Sequence, residues 1–467
     1  MTYVVLGAVL MASCRQTPPA QKPNVLLICV DDLRPELKSF GADYIHSPNI
    51  DGLAETGVSF RRHFVNAPSC GPSRYTLLIG QYGPAKNDAL FQRAGRIAQG
   101  SAAEPSMPEW FKTHGYSTVS VGKVSHHPGG RGGDDWNDST IVEIPDAWDR
   151  HLMPVAEWEH PRGMMHGLAN GEIRRKSGEM DVFQTVDGDD KIYPDGVITE
   201  EAVKQLRMLS KDDEKPFFLA VGIIKPHLPF GAPKSYLDLY KGIELPAIKH
   251  PQKPRDKTTW HPSYEYKQYN RWGKDPTTDA AFADQLRRHY AACVSYADAQ
   301  VGKILEELKR TGADKNTIVV LWGDHGWHLG EHAIWGKHSL FEESLKSPLI
   351  IHYPGMDRKG SKTNAIVETL DIFPTLCELT GIERPDFARG VSLKDILDNP
   401  DKAGHPAIAY WNSATTIRTS THRMVLHEDG YVELYNCTTP ENETRNVVDH
   451  HPELVEELKA VIESKWR

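Results

Sequence analysis

Asn24-Val25-Leu26-Leu27-Ile28-Cys29-Val30 is apolar at every position after the first and stops at a pair of acids, Asp31-Asp32. A run without polar alternation has no solvent face. At this length it fits a strand covered on both sides, as in a mostly parallel sheet. Further strand-like runs are Tyr116–Val121, Pro216–Ile223, Thr317–Trp322 and Ser347–Tyr353. Between these runs lie stretches with helical periodicity: 48–54, 107–112, 198–210, 279–310 with a stop at Gly312, and 368–380. Strand alternating with helix predicts a doubly wound α/β sheet. Beyond about Gly404 the pattern changes to four short strand-like runs, Ala407–Trp411, Thr416–Arg418, Arg423–His427 and Tyr431–Tyr435. A helix over 452–466 follows, so a small antiparallel sheet with a terminal helix is expected there. The organisation read from the chain is a leader and tether (1–23), a large α/β domain (24–403) and an α+β subdomain (404–467).

The chain has 467 residues and a formal net charge of -9. That length buries a sizeable core, and 39% hydrophobic with 25% charged residues is the balance of a globular protein. The acidic sign argues against a nucleic-acid partner, which calls for a basic face. It leaves room for an anionic substrate, because local charge in a pocket can oppose the global sign. Tyr3–Ala12 is a short apolar run, too short to span a bilayer as a helix. It is followed by Ser13-Cys14 and a Pro-rich tether, and it reads as a secretion signal. Met11-Ala12-Ser13-Cys14 resembles a bacterial lipobox. The expectation is an exported periplasmic or cell-surface lipoprotein, whose contact with a membrane is a lipid anchor on Cys14. There are six cysteines, and no two form a C-x-x-C pair. This gives no signal for a zinc ribbon or a thioredoxin-like site.

In open α/β sheets, ligands bind beyond the carboxyl ends of the strands. The groups that end the apolar runs are therefore the first candidates for chemistry. Asp31 and Asp32 form a carboxylate pair suited to a hard cation. Lys123 and His126 follow the strand ending at Val121, His227 follows Ile223, and Asp324 and His325 follow Trp322. Lys337 comes in the loop after Gly330-Glu331-His332. The stretch Ser69-Cys70-Gly71-Pro72-Ser73-Arg74 follows the strand-like run 58–64. Pro72 fits the first turn of a helix, where its missing N–H costs nothing. Cys70 then stands at a helix mouth that favours anions, and Arg74 adds a fixed positive charge one turn on. Each group has an ordinary reading: a buried structural Cys, a pair of capping acids, a solvated Lys, a hydrogen-bonded His. Together on one sheet edge they supply carboxylates for a cation, cations for an anion, histidines for proton transfer and a nucleophile. That is a complete hydrolytic set.

Cys70-Gly71-Pro72-Ser73-Arg74 is similar to the Cys-x-Pro-Ser-Arg signature of type I, formylglycine-dependent sulfatases. Asn24–Asp32, Gly122-Lys123, Lys225-Pro226-His227 and Gly323-Asp324-His325-Gly326-Trp327 resemble further blocks of that family, in the same order. The iduronate-2-sulfatase branch is the closest in look, through Val30–Pro35, Lys225–Phe230 and Asp324–His332. The resemblance implies an alkaline-phosphatase-like mixed, mostly parallel sheet flanked by helices. It implies sulfate-ester hydrolysis on a sulfated carbohydrate, with Cys70 oxidised to formylglycine by a maturation enzyme. A calcium ion would be held by Asp31, Asp32, Asp324, His325 and the Cys70-derived side chain. Arg74 and Lys123 would bind sulfate, and His126 would deprotonate the spent hydroxyl, with His127 next to it as the alternative base. His227 and Lys337 would face the ester oxygen, one of them protonating the leaving alcohol. The family's Leu-Thr-Gly-Arg segment reads Leu78-Ile79-Gly80-Gln81 here. The stretches 130–196 and 230–276 are read as substrate-facing loops without a transferable motif. A phosphonate or phosphate monoesterase on the same fold and a non-catalytic sugar-binding relative are the alternative functions.

Overall fold

A computed structural model describes residues 22–128, 142–174, 176–212, 214–255 and 257–466. The apolar leader and Cys14 lie outside the described residues. Eight strands form the main sheet: β1 (Asn24–Val30), β2 (Val58–Phe64), β3 (Ser117–Gly122), β4 (Arg150–Leu152), β5 (Phe217–Ile223), β6 (Thr317–Gly323), β7 (Leu349–His352) and β8 (Ser361–Glu368). Their spatial order is β8-β2-β7-β6-β1-β5-β3-β4. All pairings are parallel except those of β7, which is antiparallel to both neighbours. The carboxyl ends of β1, β2, β3, β5 and β6 therefore open on one edge.

The central position of β1 explains its unbroken apolarity. Leu26, Ile28 and Val30 face one core, shared with Tyr290 and Val294 of a long helix. Val25, Leu27 and Cys29 face the other, shared with Leu77, Phe111 and Phe373. Alternate residues of a strand point to opposite faces, so a strand covered on both sides needs an apolar residue at every position. The helices that matter for the site are α1 (Cys70–Ile79), α2 (Pro194–Leu209), α3 (Ala280–Thr311) and α4 (Ile372–Thr380). Asp279 caps α3 by accepting the Phe282 N–H at 3.0 Å, and Gly312 ends it with φ 77°.

The C-terminal strands β9 (Ala407–Trp411), β10 (Ala414–Arg418), β11 (His422–His427) and β12 (Val432–Asn436) form an antiparallel meander. Helix α5 (Pro452–Trp466) covers it through Val455, Leu458 and Ile462. This matches the expectation within a residue or two at each end.

The differences lie in what shows weak periodicity. Arg150–Leu152, in a stretch read as loop, pairs with β3 as the sheet edge. Phe183–Val186 pairs in parallel with Phe230–Pro233, so the two stretches read as loops are joined to each other. The helix expected over 368–380 is preceded by strand β8 and starts as a 3-10 turn over Thr369–Asp371. Edge strands take much of their stability from tertiary pairing, which periodicity does not register. Among the described residues, five cysteines are present and all are free thiols. No helix of the described residues is long and apolar enough to cross a membrane.

Candidate active site

The chain turns sharply at the end of β1. The Asp31 N–H still continues the ladder to the Ile223 carbonyl (3.1 Å), but Asp32 is in the left-handed region with φ 56°. Its N–H donates to Asp324 Oδ1 at 2.8 Å, and its carbonyl accepts the Tyr290 hydroxyl at 2.8 Å. These two contacts hold a conformation that Asp tolerates better than most residues. The result is that Asp31 and Asp32, neighbours in sequence, both present carboxylates to the sheet edge, each fully buried. Arg34 ties this turn to the loop after β6: it donates to the Trp327 carbonyl (2.9 Å) and forms a two-pronged pair with Glu331 at 2.9 and 3.2 Å.

Cys70 is the first residue of α1, as the Pro72 argument predicts. The tight entry depends on Gly71, where an added Cβ would stand 2.2 Å from the Asn87 Cα. Asn87 Oδ1 accepts both the Gly71 N–H (3.1 Å) and the Ser69 hydroxyl (3.0 Å). The Cys70 sulfur then lies 3.3 Å from His325 Nε2, 3.3 Å from Lys337 Nζ and 3.9 Å from Asp32 Oδ1. Burial alone would raise this thiol, but Lys337, Lys123 and His325 outweigh it and hold it well below the ordinary range. The other described thiols contrast with it: burial pushes Cys29, Cys293, Cys377 and Cys437 up to about 12.

Three buried cations surround the acids. Arg74 donates to Asp324 through Nε (3.1 Å), to Asp31 through a terminal nitrogen (2.9 Å) and to the Val124 and Lys123 carbonyls. Its side chain is fully enclosed, so it orients carboxylates rather than facing an opening. Lys123 pairs with Asp31. Lys337 pairs with Asp32 at 2.9 Å.

Of the two adjacent histidines, His126 is hydrogen-bonded to Cys70, and burial pulls it down to about 4. His127 faces away, its Nδ1 3.1 Å from Glu143 of the 130–196 stretch. His227 has its Nδ1 2.6 Å from the Leu228 carbonyl and its Nε2 3.4 Å from Glu265.

The structure therefore gathers Asp31, Asp32, Cys70, Arg74, Lys123, His126, His227, His325 and Lys337. Asp324 stands beside the expected metal ligands with its oxygens committed to Arg74 and the Asp32 N–H, 3.7 Å from His325 Nε2. Glu265 and Glu143 are the additions that sequence reasoning missed. Nothing in Ser263-Tyr264-Glu265-Tyr266 marks that acid out, and it reaches the site only through the packing of the 230–276 stretch.

One ligand atom from each of Asp31, Asp32, Cys70 and His325 lies within 4.8 Å of the others. Asp32 Oδ2 is buried without a hydrogen-bond partner. Burial raises Asp32 and Asp324 above the usual carboxylate range despite the nearby cations. Buried carboxylates with an unmet lone pair fit a divalent cation, which supplies the missing charge. The carboxylate oxygens suit a hard ion such as calcium, and His325 adds one nitrogen.

Comparison with known proteins agrees with this geometry. The sulfatase family model matches residues 23–382, and the model of the N-sulphoglucosamine sulphohydrolase C-terminal region matches 330–466. A sulfatase of Formosa agariphila is 30% identical over 98% of this chain and 91% of its own length. The mouse iduronate 2-sulfatase is 30% identical over 83% of this chain and 77% of its own. Among solved structures, the phosphonate monoester hydrolase of Agrobacterium radiobacter superposes with a TM-score of 0.76 at 21% identity, over 95% of each chain, and so shares the fold. The chain belongs to the sulfatase family, and its fold is the alkaline-phosphatase-like one. It is a hydrolase of sulfate esters.

Proposed function

We propose that this sulfatase removes sulfate from a sulfated carbohydrate, with Cys70 matured to formylglycine and calcium bound by Asp31, Asp32, residue 70 and His325, with Asp324 beside them. The observation that carries the reading is the position of the Cys70 sulfur, 3.3 Å from both His325 Nε2 and Lys337 Nζ on the edge where the carboxylates converge. The iduronate 2-sulfatase relative supports a carbohydrate substrate. The bound cation would supply positive charge where nucleophile and sulfate oxygens meet. Formylglycine hydrate would supply one hydroxyl for attack on sulfur and another for release of sulfate.

The chain's own residues do the rest. Lys123 and Lys337, both buried, attract the sulfate oxygens and offset charge as it develops. Arg74 fixes Asp31 and Asp324 in one orientation. His126, kept neutral by burial, accepts a proton at its ring nitrogen from the side chain of residue 70. His127 is held by Glu143 and takes no part. His227 and Lys337 stand where an ester oxygen would leave.

The same proposal includes conversion of Cys70 by a formylglycine-generating enzyme and export as a lipoprotein through Cys14. Residues 24–403 are taken as the catalytic domain and 404–467 as its subdomain. The test is sulfate release from a panel of sulfated mono- and oligosaccharides beside phosphate and phosphonate monoesters. Preferred turnover of a sugar sulfate is expected. Faster turnover of phosphate or phosphonate esters overturns the reading. Palmitate incorporation that is lost in Cys14→Ser checks the anchor.

A further inference from the structure

We propose that His332, Glu343 and Glu443 form a second metal site, suited to a divalent ion of the zinc type, which clips the loop leading to Lys337 onto the C-terminal subdomain. The inference stands apart from the sulfatase reading, since none of the three residues belongs to the site around Cys70.

The three come from separate parts of the chain. His332 lies in the loop between β6 and Lys337, Glu343 on the short helix Glu342–Leu345, and Glu443 in the 3-10 turn that follows β12. One ligand atom from each lies within 4.8 Å of the others. The loop takes an unusual path to bring His332 there. His332 and Ala333 both have φ 55°, and two consecutive residues with a Cβ seldom adopt the left-handed conformation. The His332 N–H donates to the His250 carbonyl at 2.7 Å, and the His332 carbonyl accepts Trp260 Nε1 at 2.8 Å. The imidazole stacks on the Phe341 ring, with centroids 4.4 Å apart. Backbone bonds and packing therefore fix the direction of the ring, and its nitrogens are left over.

What points to a ligand is what these side chains lack. His332 is 1% exposed, yet its Nδ1 has no hydrogen-bond partner, and its Nε2 faces Glu343 Oε2 at 3.7 Å, beyond hydrogen-bond reach. Glu343 Oε2 is itself buried without a hydrogen-bond partner. The neighbouring acids are each matched by an arginine: Glu331 by Arg34 at 2.9 Å, Glu342 by Arg418 at 2.9 Å, and Glu443 by Arg423. Among the described residues, the one cationic group that comes within 4.0 Å of Glu343 is the His332 imidazole. A buried carboxylate oxygen and a buried imidazole that bond nothing are unfavourable as they stand, and a divalent ion between them takes a lone pair from each. Glu443 keeps one to offer: its Oε2 accepts the Glu342 N–H at 2.8 Å, and a carboxylate oxygen has room for a second partner. One nitrogen and two carboxylate oxygens, with a fourth position for water, fit tetrahedral zinc better than calcium, which takes about six to eight oxygens. Ligand atoms around such a zinc stand about 3.3 Å apart, against 3.7 Å between His332 Nε2 and Glu343 Oε2 here. Glu343 also lines a cleft of about 710 Å³, which gives an ion a way in from solvent.

The test is metal analysis of the full chain, first saturated with calcium so that the site around residue 70 is filled, then incubated with zinc and desalted. About one zinc per chain is expected to remain, and the melting temperature is expected to rise with the logarithm of zinc concentration. Glu343→Gln keeps the shape and removes the charge; in calorimetry it is expected to weaken zinc binding at least about tenfold, and His332→Gln as much. Asp32→Asn, which acts on the other site, is expected to leave this zinc in place. Cobalt loaded instead of zinc is expected to show the visible absorption of a tetrahedral ion in the native protein and to lose it in Glu343→Gln. No zinc retained by the native protein overturns the proposal without recourse to any variant. Zinc held as tightly by Glu343→Gln and His332→Gln as by the native protein, zinc lost with Asp32→Asn, or calcium bound here in preference to zinc overturns it as well. None of these readouts depends on sulfate release, so the sulfatase reading stands or falls separately.

Discussion

Among the clusters of acid and histidine in the described residues, two behave differently. One is the site on the carboxyl edge. The other joins the main sheet to the C-terminal sheet, where Glu368, Asp371 and His405 bring ligand atoms within 4.8 Å of one another, just as the site does. In the seam the carboxylates are met by backbone and side-chain donors. Asp371 accepts the Val391 N–H through Oδ1 (2.9 Å), and the Glu368 N–H (2.7 Å) and His405 Nε2 (2.9 Å) through Oδ2. Glu368 accepts the Ile408 N–H, and Lys465 lies 3.1 Å from His405 Nδ1. On the edge, Asp32 Oδ2 has no hydrogen-bond partner, and a sulfur sits among the charges. The same residue types are a structural joint where backbone donors satisfy them and a site where they do not. At the edge, an orphaned buried carboxylate oxygen together with the Cys70 sulfur and the surrounding cations sets the site apart from the seam.

This contrast can be broken experimentally, and the largest effect is on the metal. Chelation is expected to abolish turnover, and calorimetry on the reloaded protein should give one calcium site per chain. Asp32→Asn should remove that site and activity together. Two calcium sites, or a site that survives Asp32→Asn, would erase the distinction between the clusters. Next in size, Lys123→Met is expected to lower kcat by about 10²–10³, the range for loss of one preorganised partner of developing charge. In the seam, Asp371→Asn should leave kcat within about twofold and cost about 1–3 kcal/mol of stability, measured by denaturant unfolding, since it unpairs buried donors.

The smallest effect is a pH dependence. His405, opposed by burial but held by Asp371 and Glu368, is raised from 6.5 to about 9. A raised pKa stabilises the fold fully below the unfolded value and loses that contribution as pH climbs through the folded one. The stability gap between the native protein and His405→Gln should therefore be widest below pH 6.5 and shrink towards pH 10. A gap that widens with pH would contradict the pairing.

These clusters also explain what the chain discloses in one dimension. The central strands are legible because burial on both faces leaves no room for polar residues, as in Leu26 through Val30. The groups at their ends are legible because parallel strands place those ends together. Cys70 is legible through Pro72 and Arg74, whose spacing announces a helix start. Strands β4 and β8 are not, since three residues from Arg150, or a run as polar as Ser361-Lys362-Thr363-Asn364, become strands by pairing with a neighbour already in place. Glu265 and Glu143 are invisible for a related reason. Each comes from an irregular stretch and acquires meaning only when folding sets it against a histidine far away in sequence. The contacts of Asp324 with Arg74 and the Asp32 N–H depend on the left-handed turn at Asp32, which no pattern of residue types signals.

Everything in the site points to residue 70, and its chemical state tests the account most directly. The protein should be coexpressed with a formylglycine-generating enzyme, digested, and the peptide spanning Cys70 to Arg74 weighed by mass spectrometry. The account predicts the aldehyde, lighter than the thiol peptide and trapped by hydrazide reagents, in proportion to sulfatase activity. An unmodified thiol in protein that still releases sulfate, or full conversion without any sulfate release, would contradict it.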